Sequence, residues 1–260
     1  MKKITKKATL FICLGILTLL SIALLSNFLW TIPKEKIKYT DFSDCNIGEE
    51  EKDCNYLFEL ENKETILVTL GKETTHIDGK KLQRQYVKLG NTRVWEGYIV
   101  SSRIVNMRVW GNLIIAHYTQ GYGCGNLEEV VAYNSDIKQI INYGSEESQQ
   151  NIDDSNPTLG YYDIKINDEK KEIEIGANNY GGCTGGLKVP NIENSYPHYW
   201  WIEPCNKIDV EKYKVSPDYV TEARYLIKYQ GNENFSKPVQ IYKETFKEIL
   251  ENCEEEGYST

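Results

Sequence analysis

The 260-residue chain predicts a mainly β domain of antiparallel sheets, closed by a C-terminal helix and preceded by one N-terminal transmembrane helix. Three observations carry that expectation. A run of 23 residues without charge, Ala8 to Trp30, follows a lysine-rich tip. The middle of the chain alternates short β-branched and aromatic runs with Gly, Asn and Asp. After Pro238 the apolar residues change to a helical period.

The apolar run is long enough to span. As a helix it reaches about 34 Å, against a hydrocarbon core of about 30 Å. A cleaved signal peptide, with Ser21-Ile22-Ala23 as its site and a secreted product, is the alternative. Its apolar region is usually about 7–15 residues, whereas here Leu24, Leu25, Phe28, Leu29 and Trp30 continue the run. Lys2, Lys3, Lys6 and Lys7 stand before the span, and Lys34, Lys36 and Lys38 follow it, so the basic bias is small. Cysteine usage decides the orientation instead. Six cysteines lie beyond the span, Cys45, Cys54, Cys124, Cys183, Cys205 and Cys253, and an even set of this kind reads as disulfides in an oxidising compartment. The expected organisation is a cytoplasmic tip and anchor over 1–30, a tether over 31–44, an extracytoplasmic β domain over 45–235, and a helix with an acidic tail over 236–260.

Within the β domain, Glu64–Leu70, Val94–Val100, Arg103–Trp110, Asn112–Thr119 and Glu128–Asn134 read as strands. Gly71, Asp78-Gly79, Gly90-Asn91, Gly111 and Asn134-Ser135-Asp136 read as turn signals. In the stretch 161–176, Ile164 and Ile166 alternate with Asp163 and Lys165, and Ile173 and Ile175 with Glu172 and Glu174. That pattern predicts a hairpin with one face buried and one wet. Residues 144–157 read as a surface loop that could divide two subdomains. At the end, Val239, Tyr242, Phe246, Ile249, Leu250 and Cys253 share a helical face, with Ser236 as N-cap. The strand–turn spacing from Arg103 to Tyr143 resembles one blade of a β-propeller, while a two-layer antiparallel sandwich accounts for the same pattern.

Beyond the span stand 26 basic and 38 acidic residues, a difference of −12. With no basic cluster, this excludes a nucleic-acid partner. The cysteines pair most simply as Cys45–Cys54, then Cys124–Cys183 with Cys205–Cys253. Cys183–Cys205 with Cys124–Cys253 is another pairing. As nucleophiles, Cys124 and Cys183 lack a following helix, though His117 and His198 exist. Cys183, His198 and Cys205 lack zinc spacing, Asn167-Asp168-Glu169 lacks the order of a calcium loop, and no metal or cofactor is called for. The glycines of "GYGCG" and "GGCTGG" permit bulged strand ends around a disulfide or loops along a groove. The candidate ligand-contacting aromatics are Tyr122 and Tyr180, beside Cys124 and Cys183, together with Tyr199, Trp200 and Trp201 in "SYPHYWWIEP". An exposed ring of this kind stacks on a sugar or anchors a protein.

No catalytic motif occurs. The expectation is therefore a membrane-anchored extracytoplasmic protein that binds a protein or glycan ligand or serves a structural role in the envelope. The alternatives are an extracytoplasmic hydrolase, carbohydrate-active in one version, and a sensor or assembly subunit of a membrane complex.

Overall fold

The computed structural model describes residues 35–45, 53–77, 79–98, 102–122, 125–144, 160–179, 186–190, 199–206 and 211–255. The predicted membrane span lies outside them. Among the described residues no helix is long and apolar enough to cross a membrane.

The chain is mainly β, in the order β1 (Lys36–Ile37), β2 (Tyr39–Thr40), β3 (Cys54–Glu59), β4 (Thr65–Ile77), β5 (Lys80–Leu89), β6 (Thr92–Tyr98), β7 (Ser102–Trp110), β8 (Leu113–Tyr122) and β9 (Gly125–Tyr133). There follow β10 (Gln139–Tyr143), β11 (Gly160–Asn167), β12 (Glu172–Asn178), β13 (Leu187–Pro190), β14 (Tyr199–Ile202), β15 (Val220–Gly231), β16 (Asn234–Phe235), β17 (Val239–Thr245) and the helix α1 (Phe246–Glu255). The first sheet runs β1-β3-β4-β5-β6, and the central sheet β10-β9-β8-β7-β2. The third runs β11-β12-β15, with β16 and β17 both paired to β15, and β13 and β14 form a separate pair. Among the described residues every pairing is antiparallel except β1 with β3.

The central sheet is apolar on both faces. Met107, Ile114, Ala116 and Val131 pack with Phe58, Val68, Val87 and Leu89 of the first sheet. Trp110, Leu113, Ile115 and Val130 pack with Ile173, Ile175, Tyr225 and Ile227 of the third. This double burial explains why β8 begins with the unbroken run "LIIA" whereas β12 alternates as "EIEIG": the third sheet buries one face and wets the other. The predicted hairpin forms, with Ile164 opposite Ile175 and Ile166 opposite Ile173.

Three expectations need correction. Gly71 is no turn. It lies inside β4 opposite Tyr86, where a Cβ would collide with the Tyr86 phenol and Asp53 Oδ1. The Tyr86 hydroxyl donates to Asp53 Oδ1 at 3.0 Å across that gap. Gly71→Ala is therefore expected to cost about 1–3 kcal/mol through overpacking, read as a lowered urea midpoint.

Nor are residues 35–44 a loose tether. They hold β1 and β2, Thr40 and Phe42 are buried, and Cys45 is bonded to Cys54.

Finally, the helix starts at Phe246 rather than near Ser236. Val239 to Thr245 instead extend along β15, and Ser236 joins the sheet, its Oγ accepting from the Lys228 amide at 2.9 Å. Val239 and Tyr242 are exposed on that strand, so only Phe246, Ile249 and Cys253 form the buried helical face. The start signal is a capping box: Thr245 precedes the helix, and Glu248 Oε2 accepts from the Thr245 amide at 2.6 Å and its hydroxyl at 2.9 Å. These bonds hold the Glu248 carboxyl below its usual range, and the bidentate Arg93 does the same for Glu73. A depressed folded pKa stabilises fully above the ordinary value of 4.5 and is lost as pH falls through the folded value. Urea midpoints are expected to fall between pH 6 and pH 3, and Glu248→Gln is expected to shrink that fall.

Candidate functional site

A set of titratable side chains lies on β7, β8 and β9 of the central sheet, the last two being the strands on either side of Cys124. β8 and β9 are paired through Tyr118–Glu129 and as far as Tyr122–Gly125, so the side chains of "AHYTQGYGCGNLEEV" divide between two faces. On the face toward the third sheet, His117 Nε2 lies 3.0 Å from Glu128 Oε2. The same oxygen accepts the Ile164 amide at 2.7 Å, which joins β9 to β11. Glu128 thereby satisfies an edge-strand N–H at a sheet junction. Glu128→Ala leaves that donor and His117 without their acceptor, and should cost about 1–3 kcal/mol. Glu128→Gln keeps an acceptor oxygen, and a smaller loss in thermal unfolding is expected.

On the face toward the first sheet, Tyr118 is fully buried, and its ring stacks on Trp95 with centroids 4.9 Å apart. Burial pushes the Tyr118 and Tyr133 phenols well above their usual value, so both stay protonated and neither serves as a base.

The next cross-strand position extends the polar group. Asn106 stands opposite His117, and beside it on β7 lies Arg108, whose side chain is only 7% exposed. A bulge between Ile104 and Asn106 shifts the strand's alternation there. Arg108 donates to Asp168 Oδ2 at 2.8 Å and to Asn106 Oδ1, and the Tyr39 ring covers its guanidinium with Cζ 5.3 Å from the ring centroid. The other Asp168 oxygen accepts Trp110 Nε1 at 2.8 Å. Asp168 belongs to the β11–β12 turn, so this carboxylate locks the hairpin tip of the third sheet onto the central one. Its neighbour Asn167 shapes the turn by accepting the Lys170 amide at 3.0 Å.

Together these groups tie sheets. The Glu128 and Asp168 carboxylates are taken up by His117, Arg108, Trp110 and backbone, while Arg108 Nε is buried without a partner. No described group of three His, Cys, Asp or Glu residues is placed to hold a metal ion. The described carboxylate with a raised pKa is Glu244, shifted by burial and then by Glu222 and Glu248, on the edge strand β17.

Of the residues singled out in the sequence, Cys45 and Cys54 form a disulfide, and Cys205 bonds Cys253 in α1. The pairing of Cys124 and Cys183, and the position of Tyr180, lie outside the described residues. Tyr122 ends β8, and β14 carries Tyr199, Trp200 and Trp201 opposite Pro190, Val189 and Lys188, but their side chains lie outside the described part. Arg108, Trp110 and Glu128 are groups that sequence reasoning passes over, and it reads Asp168 only as part of a turn without the order of a calcium loop. Their contacts join positions as much as 60 residues apart, and no local motif announces them. Among known proteins, the chain matches no family model, no curated protein and no solved structure.

Proposed function

We propose that the chain is a membrane-anchored extracytoplasmic domain that acts by binding or as a structural part of the envelope, not by catalysis. The observation that carries this reading is the pair of disulfides, one at each end of the β domain, which belong to an oxidising compartment. The way Glu128, Arg108 and Asp168 are used supports it, since their contacts hold the central sheet to the third. Exposed Val239, Ile241 and Tyr242 on β17 supply apolar surface of the kind that contacts a protein or glycan. The stacking of successive meanders favours a propeller-like arrangement over a two-layer sandwich, because the central sheet buries both its faces.

The test is topology. A reporter fused after Thr260 is expected to work only outside the cytoplasm. Activity confined to the cytoplasm would overturn the reading.

A further inference from the structure

We infer that the edge of the domain formed by β1 and β2 rests on the lipid bilayer, with Lys38 and Tyr39 at the headgroups, so that the domain is strapped to the membrane in one orientation. The inference rests on the anchored reading above.

The length of chain between anchor and fold sets the geometry. The apolar run ends at Trp30 and β1 begins at Lys36. The six residue-to-residue steps from 30 to 36 reach at most about 20 Å when fully extended. A domain of this size has a radius of gyration of about 17 Å, and so a breadth well beyond that reach. Only the edge that carries β1 can therefore lie next to the bilayer.

That edge is shared by two sheets. β1 is the end strand of the first sheet, and β2 is the end strand of the central one. Lys36 pairs with Leu57, Ile37 with Phe58, Tyr39 with Arg108 and Thr40 with Met107. The Val109 amide adds a bond to Lys38 O at 2.9 Å. Ile37 and Phe42 pack into the core below. A segment bonded into both sheets cannot swing as a linker does, and pairing on both sides fixes which way the domain faces.

The exposed groups on the strap suit a bilayer interface. Tyr39 is 51% exposed even though its ring covers Arg108. An amphipathic ring at this height suits the headgroup layer, and a neighbouring lysine suits its phosphates. Lys38 is exposed, whereas the Lys36 ammonium is held by Glu59 at 2.7 Å. The exposed acids Asp41 and Asp44 follow closely, so chain length and the aromatic ring, more than net charge, fix the contact.

The experiment uses the full chain reconstituted in phosphatidylcholine–phosphatidylglycerol vesicles that contain headgroup-nitroxide lipid. A genetically encoded fluorescent amino acid replaces Lys38 in one sample and Gln139 in another. Gln139 is exposed on β10, four strand spacings from β2 and so about 19 Å across the sheet. Several-fold stronger quenching at position 38 than at 139 is expected. Equal quenching at the two positions, weak or strong, in a chain that stays with the vesicles after alkaline carbonate washing overturns the strap and leaves the anchor standing. Release of the chain by carbonate overturns the anchored reading, and the inference with it.

Discussion

Trp110→Ala is expected to destabilise the domain by about 4 kcal/mol, within the range for deleting a large buried aromatic side chain. Trp110 is 2% exposed and packs between the central and third sheets, its ring 6.2 Å from that of Tyr229. Its truncation opens a cavity at the junction and removes the N–H that holds Asp168. It also acts where Gly111, at φ 61°, lets the β7–β8 turn approach Tyr229 closely. Trp110→Phe separates the two contributions. It keeps most of the volume, loses only the indole hydrogen bond, and should cost about 1–2 kcal/mol. Urea unfolding of the isolated β domain variants checks both. Near-equal losses for the two variants would show that the hydrogen bond, rather than packing, dominates the junction.

The second large effect concerns the C-terminal staple. Replacing Cys205 and Cys253 with serine opens a loop with a sequence separation of 48, and the chain-entropy model puts the cost at about 4 kcal/mol. The separation of 9 between Cys45 and Cys54 puts that bond at about 2.6 kcal/mol, a little under two-thirds as much. The effect should be felt locally first. Phe246 packs with Leu187, Val189 and Ile202 in a cluster separate from the two inter-sheet cores, and the disulfide ties α1 to the chain after β14. In the Cys205→Ser/Cys253→Ser protein, amides of α1 and the β13–β14 pair are expected to lose hydrogen-exchange protection before those of β8.

Much of the fold is legible in the sequence because burial writes itself into side-chain period. β8 reads from its continuous apolar run, and β11 and β12 read from their alternation. β5, "KKLQRQYVKL", is harder to read because it forms half of a long, partly exposed hairpin, and only its final residues enter the core. The terminal helix misleads for a different reason. Val239 and Tyr242 happen to stand at helical spacing from Phe246, but backbone pairing with β15 claims them, and the T-x-x-E signature at Thr245–Glu248 is the sharper boundary signal.

The site was less legible. The sequence points to Cys124 and its neighbouring glycines, and the structure adds what the flanking strands do: His117 and Glu128 face the third sheet while Tyr118 faces the first. Asp168 looks like an ordinary acidic turn residue until the fold brings it to Arg108 and Trp110. Contacts of that range follow from sheet stacking, which no local pattern encodes.

The most direct test of an extracytoplasmic, stapled domain is peptide mapping without reduction, on chain isolated with the membrane fraction and alkylated at lysis. The account predicts linked peptides joining Cys45 to Cys54 and Cys205 to Cys253. Alkylated, unpaired thiols at those four positions would contradict it.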